Sequence, residues 1–249
     1  YSNAADPGFA SGKPGNEETV KLGIVGATAH PQIDFSKCNN SKFGYATHPV
    51  QVVNYVSCHD DLCLTDKLSK SMPGTTVEER VAVAKLAQTI VFTSQGIPFM
   101  FTGEEIFRDK KGVHNSYNSP DSINAIDWNQ KKEYRDLFDY YKGIINIRKL
   151  HPAFRMTTAE DVAKNLVFDE VNEPNVISYS LKNNANGDSW NEIKVIFNGA
   201  TKANVVEIPE GEWTIVVKDG KADEAGLGTT NGGKLEVAAR TALILARVN

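Results

Sequence analysis

Apolar residues follow two different periods along this chain, and the change between them falls near residue 158. In the first part they recur every three or four positions. Residues 16–30 carry Val20, Leu22, Ile24 and Val25, a short helical pattern. Thr76-Val77-Glu78-Glu79 has the form of a capping box, whose side chains satisfy the free N–H groups of a first helical turn. The apolar residues that follow it predict a helix covered on most sides, stopped by Gln95-Gly96. Tyr134, Leu137, Phe138, Tyr141, Ile144, Ile145 and Arg148 mark an amphipathic helix that His151-Pro152 ends. Two β-branched and aromatic runs, residues 52–56 and 97–101, stand between these helices and read as short buried strands. Pro98 fits the opening of the second. Residues 38–49 are polar and irregular.

From about residue 159 the period becomes two. Candidate strands are residues 166–170, 176–181, 192–197, 204–208, 214–217, 234–238 and 241–246, with Asn, Gly and Pro clusters between them. Short strands with such punctuation predict a small antiparallel β-sandwich. The expected organisation is therefore α/β followed by all-β: a strand-helix-strand-helix region over residues 1–158, then a sandwich over residues 159–249.

Composition narrows the possibilities without choosing among them. With 41% hydrophobic and 23% charged residues, a wholly disordered chain is excluded. A net charge of −4 argues against nucleic acid or an anionic membrane surface as the main partner. No apolar run reaches the roughly 18 residues of a membrane span; the most apolar stretch, residues 82–92, is broken by Lys85 and Gln88. No basic region followed by an apolar core marks a secretory signal. Three cysteines are too few and too odd in number for a disulfide scaffold. Cys58 and Cys63 flank His59, Asp60 and Asp61, and read either as structural cysteines or as part of a metal clip, although zinc needs about four ligands.

In parallel α/β structures, working residues collect where strands end and loops begin. His59 and Asp60 finish the first strand-like run, and Gly103, Glu104 and Glu105 finish the second. Taken singly, each group is equally well a polar turn. Residues 108–129 form a connection rich in Asn, Ser, Asp and Gly, long enough to suggest a functional loop.

The order of these stretches resembles the α-amylase superfamily, glycoside hydrolase family 13. Val-Val-Asn-Tyr-Val-Ser-Cys-His-Asp-Asp (52–61) and Gly-Ile-Pro-Phe-Met-Phe-Thr-Gly-Glu-Glu (96–105) look like the family's seventh and eighth barrel strands. The loop Gly112-Val-His-Asn-Ser-Tyr-Asn-Ser-Pro-Asp-Ser-Ile-Asn124, with Asp127-Trp128, is similar to that of type I pullulanases, which cut α-1,6 linkages in α-glucans. Leu235-Glu-Val-Ala-Ala-Arg-Thr-Ala-Leu-Ile-Leu245 resembles the last strands of the family's carboxy-terminal sandwich.

The resemblance implies the end of a (β/α)8 TIM barrel followed by an antiparallel β-sandwich. It matches Asp60 to the third catalytic carboxylate, which stabilises the transition state, and His59 to its hydrogen-bonding neighbour. Arg108, Asn115, Tyr117 and Asp121 fall in the loop that shapes substrate subsites. Tyr117 and Trp128 are candidates to stack on a sugar, with a place in the core as the other reading of Trp128. The implied partners are an α-glucan oligosaccharide or polysaccharide and the amino-terminal part of the same enzyme. No cofactor is evident, no metal ligand is assigned, and the resemblance allows calcium in the complete enzyme. Retaining cleavage needs two more carboxylates about 5 Å apart, which the family carries in Arg-x-Asp and Gly-Glu motifs on earlier strands. The residues before Val52 contain neither motif. The chain thus reads as the carboxy-terminal part of a hydrolase, inactive by itself. A non-catalytic carbohydrate-binding module, or isoamylase or α-amylase specificity, is the alternative.

Overall fold

The computed structural model describes residues 3–248. Its first half holds α1 (Glu17–Ile24), β1 (Val53–Asn54), α2 (Leu64–Ser71), α3 (Val77–Thr93), β2 (Ile97–Pro98), α4 (Asp121–Asn124), α5 (Gln130–Glu133) and α6 (Arg135–Leu150). The capping box forms as expected: Thr76 Oγ1 accepts from the Glu79 N–H, and the Glu79 carboxylate accepts from the Thr76 N–H at 2.9 Å. Helix α3 is buried along most of its length, and α6 lies against it.

Three expectations for this half need correction. The first helix stops at Ile24 instead of running to residue 30, because Gly26 and Ala27 both turn into the left-handed region. Helix α2 has no counterpart among the predicted elements; its apolar signal is only the i, i+4 series Leu64, Leu68, Met72 among polar residues. The runs 52–56 and 97–101 keep only two ladder residues each. Val53, Tyr55, Ile97 and Phe99 are exposed, not buried. A two-stranded pair has no second layer over its outer face, so β-branched composition alone does not bury it.

After α7 (Ala159–Asn165), the chain forms β3 (Leu166–Phe168), β4 (Val176–Leu181), β5 (Glu192–Asn198), β6 (Asn204–Ile208), β7 (Trp213–Lys218), β8 (Lys221–Ala222), β9 (Gly228–Thr230), β10 (Gly233–Val237) and β11 (Thr241–Arg247). The period of two thus begins one element later than expected. Thr158 accepts from the Asp161 N–H and opens a helix with a single fully buried apolar residue, Val162, too short to show a periodicity. All seven expected strands are present, while β8 and β9 are short additions.

The sheet order is β3-β4-β5-β11-β7-β8, with β9 also on β7, and every pairing is antiparallel. Alternation sends side chains to two different cores. On β4, β5 and β11, Ile177, Tyr179, Val195, Phe197, Ala242 and Ile244 join the helices. Val176, Ile196, Leu243 and Leu245 face the opposite way, onto Trp213 and the separate β6–β10 pair. The sandwich is lopsided: one face is covered by two strands, the other by α3 and its neighbours. One apolar cluster therefore runs from Phe9 to Ala246 across residue 158.

Polar contacts fasten the same seam. His151, buried at the end of α6, places Nδ1 2.8 Å from Asp188 and stacks flat on Trp190 with 3.2 Å between ring centroids. Burial would raise the Asp188 carboxyl, but His151 and the N–H groups of Trp190 and Ala153 outweigh it and hold the carboxyl below its usual range. Lys85 of α3 pairs with Asp136 and donates to the Gly220 carbonyl at 3.0 Å. Where β8 crosses α6, the helix residue is Gly143, and a Cβ there would overlap the Ala222 carbonyl. Gly143→Ala should therefore destabilise the protein by about 1–3 kcal/mol, measured by denaturant unfolding. Helix propensity alone would give a gain of up to about 1 kcal/mol, so a stabilised variant would show the crossing to be loose.

Candidate functional site

Strands β1 and β2 run parallel, with Val53 opposite Ile97 and Asn54 opposite Pro98. The Ile97 and Phe99 N–H groups donate to the Val52 and Asn54 carbonyls, each at 2.9 Å. Because the strands point the same way, residues 57–61 and 103–108 leave the pair at one end. The candidate residues His59 and Asp60 lie at this end.

At the base of that end is Glu104, which is buried. Its carboxylate accepts from the Ser57 hydroxyl on one oxygen and from the Gln88 amide on the other. Desolvation raises its pKa to about 7, against the opposing bonds from Ser57, the Phe101 backbone and Gln88. An unfolded Glu loses its proton near pH 4.3. The folded state therefore holds the proton more tightly, and this group's contribution to stability falls as pH rises from there to about 7. In sequence Glu104 is marked only by its place at a strand end, with nothing to separate it from Glu105; Gly103 before it turns with φ +98°.

Above Glu104 the turn carries His59 and Asp60 into solvent, their side chains 78% and 72% exposed and 3.5 Å apart. The next residue is anchored again. Asp61 has φ +56°, its N–H donates to Asn115 Oδ1 at 2.9 Å, and its carboxylate lies 3.1 Å from His114 Nδ1. The turn after β1 and the 108–129 loop are thus brought together through Asn115.

That loop is ordered by bonds to α2 and by bonds of its own. Asp66 of α2 accepts from the Lys110 and Gly112 N–H groups at 2.7 and 2.8 Å and from the Cys63 thiol at 3.0 Å. Arg108 is buried; its guanidinium donates to the Thr102 and Asn124 carbonyls and lies over Phe101. Those contacts make it a strut beneath the loop surface. Asn124 closes the loop onto the Ser116 and Ser119 carbonyls. Tyr117, 85% exposed, and Asp121, exposed in the first turn of α4, project from the ordered frame. Trp128 is 59% exposed, which overturns the core reading and leaves its ring free. Burial pushes the Cys63 thiol up to about 12, so it stays protonated, unlike a metal-ligating thiolate. Among the described residues, no group of three or more His, Cys, Asp and Glu side chains is arranged to hold a metal ion.

Residues 162–221 match the pullulanase all-beta domain family. The chain is 33% identical over 193 residues to a pullulanase of Bacillus subtilis, covering 78% of this chain and 26% of that protein. A solved pullulanase from Bacillus acidopullulyticus superposes with a TM-score of 0.89 at 38% identity, over 98% of this chain and 28% of that one. A pullulanase from Paenibacillus barengoltzii, solved with maltohexaose and α-cyclodextrin, gives 0.84 at 35% identity over 99% of this chain and 36% of that one. The chain spans about a quarter to a third of the length of these relatives. In sequence and in fold it belongs to the pullulanases of glycoside hydrolase family 13, as the counterpart of their carboxy-terminal region.

Proposed function

We propose that this chain supplies one wall of the active site of a retaining α-glucan hydrolase that cleaves α-1,6 branch linkages. The observation that carries the reading is the His59–Asp60 pair. It stands solvent-exposed at the open end of two parallel strands, in a chain that superposes on solved pullulanases over nearly its whole length. An ionised carboxylate accepts hydrogen bonds only, and an imidazole N–H donates, so the pair is complementary to sugar hydroxyls. Glycoside cleavage passes through an oxocarbenium-like state, and hydrogen bonds to ring hydroxyls that strengthen there lower the barrier. Asp60 takes that role and His59 assists it. Asn115, Tyr117 and Asp121 border the neighbouring subsites, with Tyr117 and Trp128 offering aromatic faces to sugar rings. Arg108 supports the border from below.

Residues 1–158 then correspond to the last strand-helix units of a (β/α)8 barrel, with β1 and β2 as its seventh and eighth strands, and residues 159–249 to the sandwich. The parallel pairing of β1 and β2 across α3 supports this. So do Val53, Tyr55, Ile97 and Phe99, an exposed apolar face suited to burial against an amino-terminal part of the same enzyme. The nucleophile and general acid would come from that part.

The isolated chain should release no reducing sugar from pullulan or starch; release from pullulan above a blank would overturn the division of labour. In the enzyme completed by its amino-terminal part, Asp60→Asn should lower kcat about 10²–10³-fold while leaving circular dichroism and thermal unfolding unchanged. Near-normal turnover in steady-state assays would remove Asp60 from the mechanism.

A further inference from the structure

His59 and Asp60 project into solvent, yet the chain is held on both sides of them, at Asp61 and, beyond Cys58, at Ser57. Asp61 is tied to the loop by Asn115 and His114. On the other side, Ser57 is buried and donates to Glu104, whose second oxygen takes the Gln88 amide of α3. We infer that Glu104 is a positioning residue for the His59–Asp60 pair: its carboxyl clamps Ser57 to α3 and so fixes the direction in which the chain leaves β1. That the fixed pair binds a sugar rests on the function proposed above.

The surroundings of Glu104 leave it little other work. Arg108, the nearby cation on the loop, is committed to the Thr102 and Asn124 carbonyls. Glu105 is occupied by the Gly103 N–H at 2.9 Å. From α6, Tyr141 brings a buried hydroxyl that has no partner, and Gln88 keeps a buried amide oxygen, Oε1, that also has none. That spare acceptor decides which replacements the clamp tolerates. A glutamine at position 104 can accept from Ser57 with its oxygen and donate its amide to a reoriented Gln88. A methionine of similar length fills the space and makes neither bond.

The test is the backbone ¹⁵N order parameters of residues 57–61 in this chain, at a single pH. In wild type and Glu104→Gln they should stay in the rigid range near 0.85. In Glu104→Met and in Ser57→Ala they should fall towards 0.6, while those of β4, β5 and β11 stay unchanged. Equal rigidity in the Gln and Met variants would reduce Glu104 to a space-filler and overturn the proposal. So would a Ser57→Ala chain indistinguishable from wild type, and that variant alone decides the matter if Glu104→Met does not fold. Order parameters read the clamp whether or not the chain acts on glucans, and the hydrolysis assays read that function whether or not the clamp exists, so the two failures are separable.

Discussion

The turn that carries the chain from α3 into β2 is buried at Ser94 and Gln95 and half-buried at Gly96, and its backbone carbonyls need partners within the protein. Arg148 of α6 does most of this, donating to the carbonyls of Phe92 and Ser94 from one nitrogen and of Gly96 from another, at 2.7–2.8 Å. Gln95 between them bonds the Ala153 carbonyl and the Met156 N–H, and Asn54 of β1 donates to the Gln95 carbonyl at 2.7 Å. Burial and then the nearby Arg155 lower the Arg148 pKa to about 10, still well above neutrality, so the charge persists. Each buried carbonyl left unpaired would cost about 1–3 kcal/mol. Arg148, with Gln95 and Asn54, ties the end of α3 to the start of β2 and its pairing with β1, from whose end the candidate pair projects.

Arg148 shows how much of the fold is legible in the sequence. The spacing that predicts α6 includes it on the apolar side, and that is where it lies; what it bonds there depends on residues more than fifty positions earlier. The central strands β4, β5 and β11 are legible because both faces of the large sheet are covered, so each is buried along almost its whole length between polar turns. By contrast, β1 and β2 look like core strands in composition and prove half-exposed, because burial is a property of neighbours and not of the strand itself. Short elements such as α2 and α7 carry too few apolar residues for any period to emerge.

The site divides in the same way. His59 and Asp60 stand out in sequence only through the resemblance to the family's seventh barrel strand, since the motif alone reads equally well as a polar turn. Asn115 is visible only as a member of a long loop, and the structure gives it a specific task on Asp61. Arg108 carries a charge that suggests ligand binding, yet the structure spends that charge on two backbone carbonyls. Glu104 is the least legible: nothing in a Gly-Glu-Glu sequence distinguishes a buried carboxyl from a solvated one, and the desolvation that raises its pKa comes from elements far apart in the chain.

The strand order of the large sheet also bears on how the molecule is made. β11 follows every other strand in sequence, yet it occupies the middle of the sheet, between β5 and β7. During synthesis, β3 to β5 and β7 to β9 can form only as separate fragments until residues 241–247 emerge to join them. Ile244 and Leu245, one on each face, complete the two cores in a single step. Contacts of such long sequence separation slow folding, and α3, which packs on β11, has to wait for them as well. The nascent chain therefore carries the open edges of β5 and β7 from the time those strands form until β11 slides in between them.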